Sequence, residues 1–160
     1  MSEKIESAPV KLRTCVVFES DAFNIRDSKA EFLHATNFGD DLAKWLMGQL
    51  QQREIEVDDA GPEQEDHGWY FTFTYGGQLY DLVVSYVPTT GSPRWLACLE
   101  RSHGLLGSLI GQRHRSIARG ALVLIHDVLE SSDWCRGITW LYFQDVRRGR
   151  LVNGATHPVS

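Results

Sequence analysis

Alternation of apolar and polar residues marks the stretch from Trp69 to Glu100 as the centre of a β-sheet. In the run WYFTFTY, the aromatic residues at positions 69, 71, 73 and 75 face one side of a strand, and the residues between them face the other. Gly76-Gly77 can supply the positive φ angles of a tight hairpin turn, so the next strand, Leu79 to Val87, runs straight back. The segment VPTTGSP ends that strand, and RWLACLE begins a third. We therefore predict an antiparallel meander over residues 69–100.

Two amphipathic helices and further strands flank this meander. Apolar residues spaced three and four apart between Gly39 and Arg53 form one stripe, which predicts a helix with its buried side towards the sheet. The same spacing predicts a second helix from Ser116 to Leu129. Further strands are predicted at Leu12 to Glu19, Glu54 to Asp58 and Gly137 to Gln144. The predicted fold class is α+β: an antiparallel sheet of five to six strands, with the meander at its centre and two amphipathic helices packed on it.

The length of 160 residues and the hydrophobic content of 42% fit one folded domain. We predict a disordered tail over residues 1–10, a single α+β domain over 11–146 and a basic, flexible tail over 147–160. No apolar run has the length of a membrane span, and the N-terminal MSEKIESAPVK has no hydrophobic signal region, so the cytoplasm is the expected location and no membrane partner is expected. Cys15, Cys98 and Cys135 each lie in or beside an apolar segment, which favours reduced core thiols over disulfides or metal ligands.

Charge is distributed unevenly along the chain. The formal net charge is −5, but residues 1–100 contain 17 acidic and 8 basic side chains, whereas residues 101–160 contain 8 arginines and 4 acids. The stretch from Glu54 to Asp66 contains seven acids and no basic residue. Such a cluster attracts a basic partner and repels nucleic acid. A solvated loop without a binding role is the alternative interpretation.

The acidic stretch is also the strongest candidate for chemistry. Carboxylates beside His67 can bind a divalent metal or transfer a proton, so a metal-dependent hydrolase that uses residues 54–67 is the alternative functional hypothesis. The stretch has neither the EF-hand spacing nor an HExxH motif. We therefore predict no catalytic residue, no metal ligand and no cofactor.

Two other groups of residues are expected to have no catalytic or nucleic-acid role. His126-Asp127 and Ser131 have the composition of a catalytic triad, but adjacent helix positions do not face each other and no GxSxG elbow activates a serine. His126 is therefore predicted to be a partly buried structural histidine. The arginines that follow Glu100 form no RNA-binding signature in an acidic protein, so no nucleic-acid partner is expected.

The segment from His103 to Gln112 combines three glycines with large aliphatic residues, among them Leu105, Leu106 and Leu109. As a loop, it either exposes an apolar patch to a partner or covers an open edge of the sheet. The pattern leaves both interpretations open.

Asp66, Gly68 and Trp69 lead into the meander, and Ile138 and Trp140 lie in the last predicted strand. From roughly Phe38 to Phe143, this Asp-x-Gly-Trp and Ile-x-Trp pattern resembles small, uncharacterised bacterial proteins. The resemblance implies an α+β fold and supplies no catalytic residues. The order of helix, strand meander, helix and strand is similar to that of type III secretion chaperones and toxin-immunity proteins, which are small, acidic and act by binding.

These observations predict a non-enzymatic, cytoplasmic protein-binding module of bacterial origin, immunity-like or chaperone-like. Its acidic surface is expected to mask a partner protein that has a basic surface. Self-association as a homodimer stays open. The predicted partner-binding residues are Glu56, Asp58, Asp59, Glu63, Glu65, Asp66, Trp69, Leu105, Leu106 and Leu109.

Overall fold

One antiparallel sheet and the helices against it contain most of the described chain. The computed structural model describes residues 11–29, 32, 37–102 and 116–159. The elements in these ranges are β1 (Cys15–Glu19), α1 (Asp40–Gln52), β2 (Glu56–Val57), β3 (Glu63–Glu65), β4 (Gly68–Tyr75), β5 (Gln78–Val87), β6 (Arg94–Arg101), α2 (Arg119–Glu130), β7 (Arg136–Leu141) and α3 (Phe143–Arg147). The predicted α+β class and the antiparallel sheet are confirmed.

The described residues contain more elements than the sequence pattern predicts. Seven strands join the sheet instead of five to six, because the polar residues of β3 pair with β4. The described ranges contain three helices instead of two, because the last strand ends at Leu141 and not at Gln144. Phe143 continues the alternation of the strand, yet it begins α3 and packs in the apolar cluster of Leu141. Alternation over so few residues does not distinguish a strand that continues from a helix that begins.

The strand order places β1, the first strand of the described residues, in the interior of the sheet. The order is β2-β4-β5-β6-β1-β7, and β3 pairs with the same edge of β4 as β2. Directly opposite residues share a face of an antiparallel sheet. One row of paired residues therefore crosses the inner face through Trp69, Val84, Ala97, Val16 and Trp140.

Helices α1 and α2 cover this inner face and complete the main core. Leu42, Leu46 and Leu50 of α1 have no exposed surface, as the predicted stripe requires. In α2, Ala121 and Ile125 are buried in the same core. Complete burial of each leucine stabilises the fold by about 1.5–3 kcal/mol. None of the helices in the described ranges has the length and apolar character of a membrane span.

The chain after α3 returns to the sheet. Trp140 and Ala155 exchange two backbone hydrogen bonds, at 2.6 and 2.9 Å, and the Arg13 N–H donates to the carbonyl of the buried Pro158 at 3.4 Å. Part of the stretch 147–160, which the sequence predicts to be a flexible tail, is therefore hydrogen-bonded to the rest of the fold. The predicted tail over residues 1–10 lies outside the described residues.

His126 has the structural role that the sequence predicts for it. The residue is 5% exposed, and the indole N–H of Trp140 donates to its Nδ1 at 3.0 Å. An indole nitrogen can only donate, so Nδ1 carries no proton and the ring proton is on Nε2. This nitrogen lies 2.6 Å from a carboxylate oxygen of Glu130. The hydrogen bond thus joins α2 to β7 inside the core.

Replacement of His126 by phenylalanine tests this hydrogen bond. The ring of His126→Phe fills similar space but accepts no hydrogen bond, so the Trp140 N–H is left buried and unpaired. We expect a loss of about 1–3 kcal/mol in the free energy of unfolding, measured by urea denaturation. In a double-mutant cycle with Trp140→Phe, the two losses should not add, with a coupling of about 0.5–3 kcal/mol. Fully additive losses would show that the bond does not stabilise the fold.

Candidate functional site

The acidic residues predicted to bind a partner lie along one edge of the sheet. Glu56 of β2 pairs with Thr74, and Glu63 of β3 pairs with Tyr70. Between these strands the chain turns at Asp58, whose carboxylate accepts a hydrogen bond at 3.0 Å from the backbone N–H two residues further on. The exposed acids of this edge are Glu56, Asp58, Asp59, Glu63 and Asp66.

Strand pairing determines the face to which the edge carboxylates point. Glu63 and Glu65 pair with Tyr70 and Gly68, and residues that are two apart in a strand share a face. The neighbouring residue of β4, Trp69, faces the helices. Glu63 and Glu65 therefore lie on the outer face of the sheet, on the side away from α1 and α2.

Gly68 allows β4 to approach β5 closely at the point where β3 joins the sheet. A Cβ atom at this position would overlap the carbonyl oxygen of Val84 and lie 2.7 Å from the hydroxyl oxygen of Ser85. That hydroxyl donates to the carbonyl of His67 at 2.6 Å. A larger residue would separate the two strands, so this glycine helps to position the acids of β3.

Tyr70 lies among the carboxylates of the outer face. Its phenol donates a hydrogen bond to Glu63 Oε2 at 2.6 Å. This bond, followed by partial burial and by the charges of Glu63, Asp81 and Glu65, raises the pKa of Tyr70 from 10.0 to about 12. The phenol is therefore a donor throughout the neutral range and does not act there as a base.

Acidic side chains continue from the edge into the middle of the sheet. The hydroxyl of Thr72 donates to Asp81 Oδ1 at 2.7 Å, and Asp81 lies directly opposite Glu100 of β6. We call the outer side of this half of the sheet the acidic face. Its acids are Glu56, Glu63, Glu65, Asp81 and Glu100. Ionised carboxylates only accept hydrogen bonds, so this surface suits lysine and arginine side chains.

Trp69, which the sequence analysis counts among the partner-binding residues, lies in the core and not on this surface. The side chain is 6% exposed, its indole N–H donates to the Asn37 carbonyl at 2.8 Å, and its ring packs against Phe32. The reason is the alternation of β4: the odd positions face the helices, so only the even positions are available to a partner. The other apolar residues of the predicted site, Leu105, Leu106 and Leu109, lie outside the described residues.

Sequence reasoning missed the part of the acidic face that lies within the meander. Tyr70, Thr72, Asp81 and Glu100 were not among the predicted binding residues. The polar positions of WYFTFTY are a signal for an open outer face. In β5, Asp81 and Val83 are partly exposed on this face.

The hydrolase hypothesis requires several of these acids and His67 to be gathered around one point. In the part of the chain that the structure describes, no group of three or more His, Cys, Asp or Glu side chains is arranged to hold a metal ion. His67 is exposed beside the edge, and its backbone carbonyl makes the hydrogen bond to Ser85.

Comparison with known proteins adds no functional assignment. No protein-family model, curated protein or solved structure matches the chain. The acidic face must therefore be interpreted from its own chemistry.

Neutralising Glu63 tests the electrostatics around Tyr70. In Glu63→Gln the phenol loses its carboxylate acceptor and one neighbouring charge, so the pKa of Tyr70 should fall from about 12 towards 10.0. Ring signals of labelled tyrosine, followed by NMR against pH, report this value.

The same shift affects stability at high pH. Because folding raises the pKa of Tyr70, its contribution is complete below the unfolded value of 10.0 and is lost as the pH rises towards about 12. Unfolding curves of Glu63→Gln should therefore show a smaller loss of stability over this interval than those of the natural chain. Asp133→Asn, at an exposed position of the α2–β7 turn, is the control and should leave the pKa of Tyr70 unchanged. An unchanged pKa in Glu63→Gln would contradict the assigned hydrogen bond.

Proposed function

We propose that the protein is a non-enzymatic binding module whose acidic face covers a basic surface on a partner protein. The observation that carries this proposal is the set of carboxylates on the outer side of the sheet, which continues from the edge strands to Asp81 in β5. The expected mode of action is that of an immunity protein or secretion chaperone: the module masks a surface and performs no reaction on it.

Rigid presentation of the charges supports this proposal. Glu63 and Asp81 are on strands of one hydrogen-bonded sheet, and each accepts a side-chain hydrogen bond from β4, from Tyr70 and Thr72 respectively. Carboxylates that are held in this way lose less side-chain freedom on binding than carboxylates on a loop. They can also speed the encounter with a basic protein by long-range attraction.

The polar groups between the carboxylates also suit a protein surface. Tyr70 supplies an aromatic ring at the centre of the acidic face, and Thr72 adds a small polar group beside it. Tyrosine offers a large contact area with few rotatable bonds, and it is enriched at protein interfaces. The acidic face therefore offers contact area in addition to charge.

A triple variant of the acidic face tests the proposal. Glu56→Gln, Glu63→Gln and Asp81→Asn remove three negative charges from this face. Affinity-tagged natural chain and variant are incubated with lysate of the cells that produce the protein naturally, and the captured proteins are identified and titrated. Exposed ion pairs contribute about 0.2–1 kcal/mol each, so the three losses should weaken a partner by between about 3-fold and 150-fold. Added salt should weaken binding of the natural chain more than that of the variant.

A matched control variant separates local contacts from net charge. Asp27→Asn, Asp127→Asn and Asp133→Asn change the net charge by the same amount at exposed positions outside the acidic face. A partner that the acidic face recognises binds this control as tightly as the natural chain and binds the first variant more weakly. Equal binding to both variants and to the natural chain refutes the proposal, and thermal melting of each variant shows that it is folded.

A further inference from the structure

Two cysteines that are far apart in sequence lie opposite each other on adjacent strands. Cys15 of β1 pairs directly with Cys98 of β6, and both thiols are free. The Leu99 N–H donates to the Thr14 carbonyl at 2.9 Å, so Thr14 and Leu99 form a hydrogen-bonded pair. Such pairs alternate with non-hydrogen-bonded pairs along two antiparallel strands, and Cys15 and Cys98 therefore form a non-hydrogen-bonded pair. Opposite Cα atoms in such a pair are about 4.5 Å apart, which is within the range of about 4.4–6.8 Å seen in disulfides.

Both cysteines lie on the outer face, where Cys98 packs against the apolar cluster that contains Cys15. A hydrogen bond to Cys15, followed by burial, raises the pKa of the Cys98 thiol well above its ordinary value. Opposite Cβ atoms in antiparallel strands lie about 4.5–5.5 Å apart, whereas a disulfide needs about 3.5–4.5 Å, so bond formation requires an approach of about 1 Å. This movement is small because the strands are already paired.

The two cysteines differ in exposure, so an oxidant in solution does not reach them equally. Cys15 has no exposed surface, whereas Cys98 is partly exposed. A small oxidant therefore reaches Cys98 first, and Cys15 is the buried partner that can react with the oxidised sulfur. Cys135 is buried in the other apolar cluster, on the helix side of the sheet, and has no cysteine opposite it among the described strands.

We infer that Cys15 and Cys98 are a redox pair that forms a cross-strand disulfide when the protein meets a peroxide. The Cys98 thiol loses its proton, the thiolate attacks one peroxide oxygen and the O–O bond breaks. Cys98 becomes a sulfenic acid, and the leaving hydroxide takes up the released proton to form one water. The sulfur of Cys15 then attacks the sulfur of Cys98, the S–O bond breaks, and a second water leaves with the proton of Cys15. In sum, two thiols and one hydrogen peroxide give one disulfide and two waters. The product joins β1 to β6 covalently across the outer face.

Oxidation of the full chain with hydrogen peroxide tests this inference. Free thiols, counted in denaturant, should fall from three to one per chain, and the intact mass should decrease by two hydrogen atoms. Peptide mapping without reduction should recover the peptides of Cys15 and Cys98 joined together. Dithiothreitol should restore all three thiols, and the oxidised chain should melt at a higher temperature because the disulfide restricts its unfolded state.

The pH dependence provides a second measurement. Only the thiolate attacks peroxide, so the rate should rise by about tenfold per pH unit while the pH stays below the raised pKa of Cys98. A rate that is independent of pH between neutral and mildly alkaline conditions would contradict the assigned first step.

Single substitutions provide the matched controls. Cys135→Ser keeps the pair and should still lose two thiols, whereas Cys98→Ser removes it and should form no disulfide within the chain. Cys98→Ala serves the same purpose if the serine variant does not fold. Recovery of Cys15 as a free thiol after oxidation, with Cys98 converted to sulfinic acid or joined to a second molecule, would overturn the inference.

Discussion

The register of strand pairing is the constraint on which both faces of the sheet depend. Side chains alternate between the faces, so a slip of one residue between β4 and β5 would move Phe71 and Phe73 into solvent and place Tyr70 and Thr72 under the helices. The inner face is apolar across five strands, and α1 and α2 cover it. Burial of this face therefore selects one register, and the same register determines which polar groups meet on the other side.

One row of the outer face shows how the surroundings change along a single line of paired residues. In the order β3, β4, β5, β6, β1, β7, it consists of Glu63, Tyr70, Val83, Cys98, Cys15 and Leu141. Phe143, Val146 and Leu151 pack over the end of the row at β1 and β7. Cys15 is consequently without exposed surface, whereas Glu63 at the opposite end is exposed. A short C-terminal covering thus leaves carboxylates in water on one half of the face and thiols in an apolar layer on the other.

Local signals predict the meander, whereas non-local pairing decides the rest of the site. Alternation and Gly76-Gly77 are enough to predict β4, β5 and β6, because a hairpin is specified by adjacent residues. The residues of CVVFE predict a strand but not its neighbours, and β1 lies between β6 and β7. The pairing of Cys15 with Cys98 could therefore not be predicted from their positions in the chain. The three polar residues of β3 have no apolar alternation, and their strand conformation comes from pairing with β4. The acidic edge could therefore be predicted, while its extension to Asp81 depends on the register.

The position of Asp81 helps to separate two explanations of the acidic face. Short, charged edge strands discourage the pairing of one sheet with another, and β2 and β3 have both properties. Protection of an edge explains Glu56 and Glu63, because their strands are the outermost ones on this side. It does not explain Asp81, because β5 has no open edge at this residue. Asp81 is paired with Thr72 of β4 on one side and with Glu100 of β6 on the other. Edge protection therefore accounts for only part of the acidic face, whereas the proposed recognition of a basic partner would account for Asp81 as well.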